Sequence, residues 1–453
     1  MIDEYKYMDI RIIRDNPDYV RDNQRRRFKD PSIIDKILGL DDGWRNMKSK
    51  ADGLRQLRNR LSQNFVKAPE STTVFWDDIY TIDKLIDDLL HQRLKIDVLI
   101  KDQLKNIVRY INDQIGEIEA ETGKTLEERD NLIAELGNKL NSKCIVNDDE
   151  ENNGLIYDVE FKHDKLPEKP LDHIDLLEKL GFVDIENGIK VAANRGYFLT
   201  GFGVRLNQAI INYGLDFLEK RGYKLMETPH FVTGELMSKI VQLSDFKEMM
   251  YKIDGEDKYL IATSEQPLTA LFNGKVLHDQ QLPIKLAGLS SCYRKETGSC
   301  GRHVNGIYRV HQFQKVEQFC VTEPEKSWEM FDEMIGVSKE FYESLKLSFR
   351  IVNIVSGALN NAAAMKYDLE AWFPGSKTWC ELVSCSNVLD YFSKRLGLKG
   401  AKQEHLHMLN STLCANTRTI CALVETYQTN DGFIVPDVLR PYLGNKDFIP
   451  FVK

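Results

Sequence analysis

The 453-residue sequence has no run of about twenty consecutive apolar residues, the length that a membrane-spanning helix requires. It also lacks an apolar core near its N-terminus, where Asp3 and Glu4 come early, so neither a secretory nor a mitochondrial import signal is expected. With 29% charged and 42% hydrophobic residues, the composition is that of a globular protein, and the length predicts two or three domains. These features favour a cytoplasmic protein that does not enter a membrane.

Metal-binding cysteine patterns are absent as well. The chain has 8 cysteines, but no two of them are spaced as C-x-x-C, and no group of Cys and His has zinc spacing. We therefore expect a reduced protein without zinc. An excess of positive charge is also missing, because the net charge is -8, so any nucleic-acid surface must be a local patch.

One such patch is the basic segment R-D-N-Q-R-R-R-F-K-D, which begins at Arg21 and contains Arg25, Arg26 and Arg27. A lone run of this kind is more often a solvated surface than a nucleic-acid site.

Two stretches with a heptad pattern follow the basic segment. The first has Met47, Leu54 and Leu61 seven residues apart, and the chain then breaks at Ala68-Pro69. The second contains Ile100, Leu104, Ile107, Ile111, Ile115 and Ile118, and can extend through Leu136 and Leu140. Together they predict an antiparallel coiled-coil hairpin with basic side chains on its outside, although a dimerisation coil would show the same pattern.

An acidic run from 148 to 151 separates the hairpin from a region of alternating short strands and helices. We therefore predict a helical domain over 1–153 and a second domain over 154–453.

Two apolar strands enclose a glycine-containing loop between Leu286 and Phe319. The predicted strand faces carry Arg294, Glu296, Arg309, Phe313 and Glu317. Guanidinium groups bind phosphate oxygens, an aromatic ring can stack on a base, and a carboxylate can hold an ammonium group. A nucleotide-and-amine ligand therefore fits this hairpin, but so does a surface hairpin with cross-strand ion pairs.

Two further segments carry polar residues in apolar surroundings. Thr263 ends the apolar stretch K-Y-L-I-A-T, which is predicted to be a buried strand, and Glu265 follows two residues later. These polar side chains could simply cap the next helix. Glu381 and Ser384 lie in the apolar run W-C-E-L-V-S, and a buried carboxylate with no obvious basic neighbour needs a proton or a cation.

The strings Y-R-K-E and R-V-H-Q-F-Q-K-V-E-Q-F resemble motif 2 of the class II aminoacyl-tRNA synthetases, and within them the seryl-tRNA synthetases. A helix over 202–221 followed by G-Y-K-L-M-E-T-P resembles motif 1, and the segment from His407 through Arg418 resembles motif 3. The resemblance implies an α+β fold in which the class II antiparallel sheet, flanked by helices, follows the coiled-coil hairpin. That hairpin lies where the family has the arm that binds tRNA.

The resemblance also implies roles for individual residues. The residues matched to catalytic positions are Arg294, Glu381 and Arg418. Those matched to serine-binding positions are Thr263, Glu265, Arg294, Glu317, Asn410 and Thr412. Those matched to ATP-binding positions are Arg294, Lys295, Glu296, Arg309, Val310, His311, Gln312, Phe313, Glu381, Leu382, Val383, Ser384 and Arg418. Glu381 and Ser384 are the implied Mg²⁺ ligands, and tRNA contacts are implied for Arg25, Arg26, Arg27, Arg55, Arg58 and Arg60.

The implied reaction is activation of L-serine with ATP and transfer of the seryl group to tRNA(Ser), and to tRNA(Sec) where it exists, by a homodimer that uses Mg²⁺. The alternatives are a synthetase-derived binding protein and a ligase that loads a non-tRNA carrier. The first should lose Arg294, Glu381 or Arg418, and the second should lack the hairpin. Departures from the family pattern occur at Cys300, His303, Asn305, Cys380 and Phe392.

Overall fold

The structure, a computed structural model, describes residues 9–70, 82–241, 249–296 and 305–452. The described residues divide into two compact units. The helical unit contains 9–22 and 30–136, and the sheet unit contains 23–29 and 137–452. The functional boundary at 153/154 remains a prediction.

The helical unit is built around two long antiparallel helices. Its helices are α1 (Ile10–Asp15), α2 (Pro17–Arg26, whose last residues belong to the sheet unit), α3 (Ile33–Asn64), α4 (Ile82–Leu90) and α5 (Lys101–Ala134). Arg55 of α3 pairs with Glu119 of α5, and Asp41 pairs with Arg129, so the two helices run in opposite directions. The heptad residues Leu54, Leu57, Leu61, Leu104, Ile107, Ile111 and Ile115 are buried together between them. The predicted antiparallel hairpin is confirmed.

Two details of that hairpin differ from the sequence prediction. The connection is not a short polar break, because it contains α4, whose Leu85, Ile86 and Leu89 join the same apolar cluster. α4 has only 9 residues, so its apolar pattern spans little more than one heptad and cannot be recognised as a repeat. In addition, α5 ends at Ala134 and does not reach Leu140.

One buried carboxylate joins three segments of the helical unit. The Asp41 side chain is fully buried, and its oxygens accept hydrogen bonds from Arg14 Nε at 2.6 Å and from Arg129 Nη1 at 2.8 Å. Burial alone would raise the pKa of Asp41, but the two guanidinium groups outweigh it and hold the pKa below its usual value. This charge cluster links α1, α3 and α5.

The sheet unit alternates short strands and helices. Its strands are β1 (Gly154–Val159), β2 (Val183–Asp184), β3 (Phe198–Leu199), β4 (Lys224–Glu227), β5 (Phe231–Thr233), β6 (Lys258–Leu260), β7 (Val276–Leu277), β8 (Ile284–Tyr293), β9 (Gln312–Thr322), β10 (Phe349–Asn353), β11 (Met365–Phe373), β12 (Thr378–Leu389), β13 (Lys399–Gly400), β14 (His407–Ala415), β15 (Gly432–Ile434) and β16 (Phe448–Pro450). Its helices are α6 (His173–Lys179), α7 (Ile185–Ala192), α8 (Gly201–Glu219), α9 (Gly234–Ile240), α10 (Glu265–Ala270), α11 (Ser327–Ser344), α12 (Tyr391–Leu396) and α13 (Asn416–Thr426).

Eight of these strands form one sheet in the order β1-β10-β11-β12-β14-β9-β8-β4. All neighbours are antiparallel except β4 and β8, which are parallel. The main apolar core packs α8, α11 and α13 against the sheet through residues such as Leu206, Phe341 and Leu423. The predicted α+β fold with a large antiparallel sheet is confirmed.

Several predicted strands have different ends in the structure. β14 continues to Ala415, six residues past the predicted end at Leu409, so Asn410 and Thr412 lie within a strand. β8 ends at Tyr293, and Arg294 and Glu296 therefore follow the strand instead of sharing its face. Glu296 has a φ of +46°, which turns the chain at this point. Within the described ranges, no helix combines the length and apolar character needed to cross a membrane.

Candidate active site

The ends of β8 and β9 place an arginine beside an aromatic ring. Arg294 continues the pairing of the two strands by donating its backbone N–H to the carbonyl oxygen of His311 at 2.9 Å. Its guanidinium carbon lies 5.2 Å from the centre of the Phe313 ring, and its Nε donates to the carbonyl oxygen of Ala262 at 3.3 Å. The arginine is therefore held in one orientation next to a ring that can stack on a base.

Four of the residues predicted to bind serine line one cavity of about 220 Å³: Thr263, Glu265, Arg294 and Asn410. They are linked to one another, because Asn410 Nδ2 donates to Glu265 Oε1 at 2.8 Å and Thr263 Oγ1 accepts the Glu265 backbone N–H at 3.1 Å. β14 supplies Asn410, and the turn that begins α10 supplies the other pair. Residues far apart in sequence thus meet at one small polar cavity.

The other two predicted serine-binding residues, Glu317 and Thr412, are opposite each other on β9 and β14. Thr412 Oγ1 donates to Glu317 Oε2 at 3.3 Å, and Lys315 forms an ion pair with the same carboxylate. Glu317 is 2% exposed and Thr412 is 8% exposed, so both are buried and do not line the cavity directly.

The charge of Glu317 affects the protonation of Glu265. Burial and the negative charge of Glu317 raise the pKa of Glu265 to about 7, against the opposing effect of Lys315 and Arg294. A ligand with an ammonium group would favour the ionised form of Glu265. The cavity is therefore suited to a small amine.

A second cluster forms where β12 meets the start of α13. Ser384 Oγ donates to Glu381 Oε1 at 3.2 Å, and Arg418 Nη1 reaches both Oε1 and the carbonyl oxygen of Glu381 at 3.2 Å. Residues three apart on a regular strand point to opposite faces. Here the register between β11 and β12 shifts next to Leu382, and this irregularity lets Glu381 and Ser384 meet.

Arg418 provides the basic neighbour that the sequence did not reveal for Glu381. Burial alone would raise the pKa of Glu381, but Arg418, and then Lys366 and Arg294, lower it below the usual range. Burial lowers the pKa of Arg418, yet the Glu381 charge raises it overall. The expectation of a buried, unpaired carboxylate was wrong, since the Glu381 side chain is 41% exposed and ionised at neutral pH.

The rest of the predicted ATP site is spread around these clusters. Arg309 Nη1 pairs with Glu296 Oε2 at 3.2 Å. His311 Nδ1 lies 3.0 Å from the carbonyl oxygen of Arg294, Lys295 is half-buried and Gln312 is exposed. The side chains of Val310, Leu382 and Val383 belong to the apolar core, so these three residues can offer a ligand only backbone groups.

The residues predicted to contact tRNA have different environments. Arg25 and Arg60 are exposed, and Arg26 is half-buried. Arg55 pairs with Asp52 and Glu119, and Arg58 Nη1 bonds Asn112 Oδ1 at 3.2 Å. Arg27 requires a correction, because its side chain is buried at 1% exposure and bonds backbone carbonyls, which leaves no access for a phosphate.

Sequence reasoning missed four polar residues at the site. Lys315 pairs with Glu317, and the two-residue spacing of K-V-E on a strand was a usable signal for a shared face. Tyr308 donates to the carbonyl oxygen of Glu381 at 2.9 Å and lies under the Arg418 guanidinium at 4.8 Å. Asp368 and Lys366, paired at 3.1 Å on β11, depend on sheet register that the sequence does not contain.

Of the positions that depart from the family pattern, Cys300 and His303 lie outside the described residues. Asn305 is exposed, and Cys380 is buried on the core face of β12. Phe392 lines the cavity with Thr263 and Glu265.

An antiparallel sheet with one parallel edge strand, an arginine at the end of a hairpin, and a second arginine at the start of a helix define the class II aminoacyl-tRNA synthetase core. Residues 249–427 match the family model "tRNA synthetase class II core domain (G, H, P, S and T)", and residues 8–89 match "Seryl-tRNA synthetase N-terminal domain". A serine--tRNA ligase of Helianthus annuus is 43% identical, over 98% of this chain and 99% of that protein. The chain belongs to the seryl-tRNA synthetases.

Solved structures show the same relationship. The cytoplasmic serine-tRNA ligase of Naegleria fowleri in complex with AMP is 44% identical, with a TM-score of 0.84 over 98% of this chain and 99% of that one. The seryl-tRNA synthetase of Pyrococcus horikoshii complexed with ATP is 32% identical, with a TM-score of 0.85 over 98% and 100% of the two chains.

Proposed function

We propose that this chain activates L-serine with ATP and transfers the seryl group to tRNA(Ser). The observation that carries the proposal is the placement of two clusters on one sheet. Arg294 lines the cavity around Glu265 and Asn410, lies beside the Phe313 ring, and is near enough to Glu381 for its positive charge to lower the pKa of that carboxylate. An amino acid and a nucleotide bound there would both contact that arginine.

In the first reaction, the carboxylate oxygen of serine attacks the α-phosphorus of ATP, and the bond to the bridging oxygen breaks to release pyrophosphate. In the second, a terminal ribose hydroxyl of the tRNA attacks the seryl carbonyl carbon, and AMP leaves. No side chain acts as a nucleophile. The chain contributes alignment and charge: Arg294 orients the serine carboxylate and the α-phosphate, and Arg309 and Arg418 neutralise the outer phosphates.

Serine is selected through its hydroxyl group. Asn410 and Thr263 line the cavity with polar groups that we assign to the serine hydroxyl, and an analogue without that hydroxyl would leave such a group without a ligand partner. Glu317 and Thr412 bond each other on the neighbouring strands β9 and β14 and do not touch the ligand directly. Sites built to bind a substrate hydroxyl reject the analogue that lacks it by about 10⁴–10⁵-fold. Alanine is therefore excluded at the activation step.

Glu381 and Ser384 are the proposed Mg²⁺ ligands. Their oxygen atoms are 3.2 Å apart, and a carboxylate with a hydroxyl is a donor set that fits this ion. Among the described residues no group of three or more His, Cys, Asp or Glu could hold a metal, so the remaining ligands would be phosphate oxygens and water. When bound, the ion neutralises phosphate charge. Arg418, which now bonds Glu381, would turn to the phosphates.

The helical unit is proposed to bind the tRNA through phosphates on its exposed basic faces, reading shape more than sequence. We propose that the enzyme works in the cytoplasm as a homodimer, with α8 and β4 contributing to the subunit interface. Charging of tRNA(Sec) is a proposal of the same kind.

The test is ATP–pyrophosphate exchange with purified protein, followed by charging of tRNA(Ser) and tRNA(Sec) transcripts. Serine should drive exchange, alanine should not, and the transcripts should become seryl-charged. A protein that binds ATP without serine-dependent exchange would be a synthetase-derived binding protein. Exchange without charging of either tRNA would identify a ligase for another carrier.

A further inference from the structure

Among the described residues of the sheet unit, the most buried arginine, Arg27, lies outside the two clusters of the candidate active site. Arg27 is 1% exposed and sits at the end of the basic segment, next to α2. Its guanidinium donates to the carbonyl oxygens of Ala363 at 2.6 Å and of Asn360 and Asn361 at 3.3 Å. Its Nε donates to the carbonyl oxygen of Asn138 at 3.1 Å. Burying this charge is costly, so its placement needs a reason.

Asn138 completes a set of donors to the same segment. Its backbone N–H donates to the carbonyl oxygen of Asn361 at 2.7 Å, and its side-chain Nδ2 donates to those of Ala362 and Val388 at 2.8 Å. Arg27 and Asn138 together therefore bind all four consecutive carbonyls from Asn360 to Ala363. We call these two residues the carbonyl clamp.

The segment held by the carbonyl clamp is a wall of the serine cavity. Asn360, Ala362 and Val388 line the cavity together with Thr263 and Glu265, and each of the three gives its carbonyl oxygen to the clamp. This segment lies between β10 and β11 and belongs to no strand, so its carbonyl oxygens receive from Arg27 and Asn138 the hydrogen bonds that a neighbouring strand would otherwise supply.

The packing around Arg27 fits the guanidinium group closely. Gly137 lies so near that a Cβ at that position would be 2.4 Å from Arg27 Nε. Asn23, also buried, donates to the carbonyl oxygen of Asn138 at 3.1 Å and accepts the backbone N–H of Leu140 at 3.0 Å. Gly137 therefore packs against Arg27, and Asn23 holds the backbone at Asn138 and Leu140, so both residues of the carbonyl clamp are fixed in place.

We propose that Arg27 and Asn138 are positioning residues for serine recognition, which act by fixing the cavity wall at 360–363 and Val388. This inference rests on the assignment of the cavity to serine in the proposed function. It accounts for a buried arginine that would otherwise belong to a tRNA-binding basic segment. The planar fork of guanidinium matters, because it reaches the carbonyl oxygens of four residues at once, which an ammonium group on a lysine cannot do in the same geometry.

The experiment measures serine-dependent pyrophosphate exchange for wild type, Arg27→Lys and Asn138→Asp. A displacement of the cavity wall should raise the KM for serine about tenfold or more. A misplacement of about 1 Å can lower the rate of an enzyme about a hundredfold, so a shift smaller than that is sufficient. The KM for ATP and kcat should stay within about twofold, a split that general loss of folded protein would not produce. Arg129→Lys is the matched control, because Arg129 is also buried and hydrogen-bonded but lies in the helical unit.

Arg27→Ala provides a second test through chemical rescue. Added guanidinium at low millimolar concentration should restore the KM for serine, whereas methylammonium should not. The inference is overturned if folded Arg27→Lys and Asn138→Asp keep the wild-type KM for serine, or if the KM values for serine and ATP rise together. If wild type itself shows no serine-dependent exchange, the proposed function fails and the inference falls with it.

Discussion

Charged side chains are arranged differently in the two units of the molecule. In the sheet unit, Lys315 and Glu317 form a buried ion pair, and the mostly buried Arg418 pairs with the partly exposed Glu381. In the helical unit, most basic residues of α3 lie at the surface, where Arg60 is exposed and Arg55 makes ion pairs with solvent-accessible partners. The paired side chains of the sheet unit hold one another in fixed positions. The surface cations of α3 offer positive charge to a ligand without fixing its position.

This difference separates two kinds of recognition. Adenylate chemistry needs atoms held to a fraction of an ångström, and buried hydrogen-bonded pairs provide that order. A polyanion such as tRNA can be bound by flexible surface cations whose effect depends on salt. We therefore expect substitutions in the sheet unit to change exchange chemistry, and substitutions in the helical unit to change only tRNA charging.

The largest effect is expected from Arg294→Ala. Loss of the guanidinium removes the group that we propose contacts both the serine carboxylate and the α-phosphate, so kcat/KM for serine-dependent exchange should fall about 10³-fold or more. Thermal unfolding should stay near wild type. Arg440→Ala, on the sheet unit but remote from these clusters in sequence, is the control, and near-normal exchange by the Arg294 variant would contradict its assigned role.

The next effect concerns the metal. Glu381→Gln keeps the shape of the side chain but removes its charge, and the half-saturating Mg²⁺ concentration in the exchange assay should rise about tenfold. Glu370→Gln is a matched control, because Glu370 is the neighbour of Glu381 on β11 and pairs with Arg350 at 2.6 Å. A magnesium titration that is identical for wild type and Glu381→Gln would remove this residue from the metal site.

A smaller effect follows from the raised pKa of Glu265, about 7. In the proposed function the ionised carboxylate of Glu265 binds the serine ammonium, and the ionised fraction grows as pH rises through the pKa. The KM for serine should therefore fall about tenfold between pH 6 and pH 8, as expected for one group titrating near 7. The KM for ATP, measured in the same buffers, is the internal control, and a serine KM that does not change with pH would show that Glu265 is ionised throughout.

The smallest effect is expected from replacing Arg55, Arg58 and Arg60 with Ala. Binding of tRNA(Ser) should weaken, and the slope of log K against log salt should become shallower, because fewer counterions are released. Arg60→Ala alone should account for much of the change, since Arg55 and Arg58 must first leave their partners on α3 and α5. Removal of the exposed lysines Lys190, Lys220 and Lys402 from the sheet unit serves as the matched control.

The sequence predicted those features that depend on local pattern. Heptad spacing located α3 and α5, and alternation located β8 and β9, because both patterns reflect one buried face. The family motifs supplied Arg294, Glu381 and Arg418, and the structure brings Arg418 to Glu381.

Features that depend on register or on distant segments could not be predicted. The irregularity that joins Glu381 to Ser384 is a property of the pairing of β11 with β12. The burial of Arg27 depends on carbonyls more than 300 positions later in the chain, so its basic neighbours suggested a solvent-exposed role that the structure contradicts.

The division of function between the two units, with exchange chemistry in the sheet unit and tRNA binding in the helical unit, is tested most directly by shortening the hairpin. Replacing residues 48–122 with a short glycine-rich linker removes the apolar cluster of α3, α4 and α5 but keeps Asp41 bonded to Arg14 and Arg129. The pairs Asp41–Arg129 and Arg58–Asn112 set a register that brings Met47 and Gly123 to about the same level of the antiparallel pair, where helix axes are about 8–10 Å apart, so a few residues can connect them. We predict that the shortened protein keeps serine-dependent pyrophosphate exchange near the wild-type rate and loses most charging of tRNA(Ser) at low tRNA concentration. Normal charging by the shortened protein, or loss of exchange in a protein that remains folded, would contradict the account.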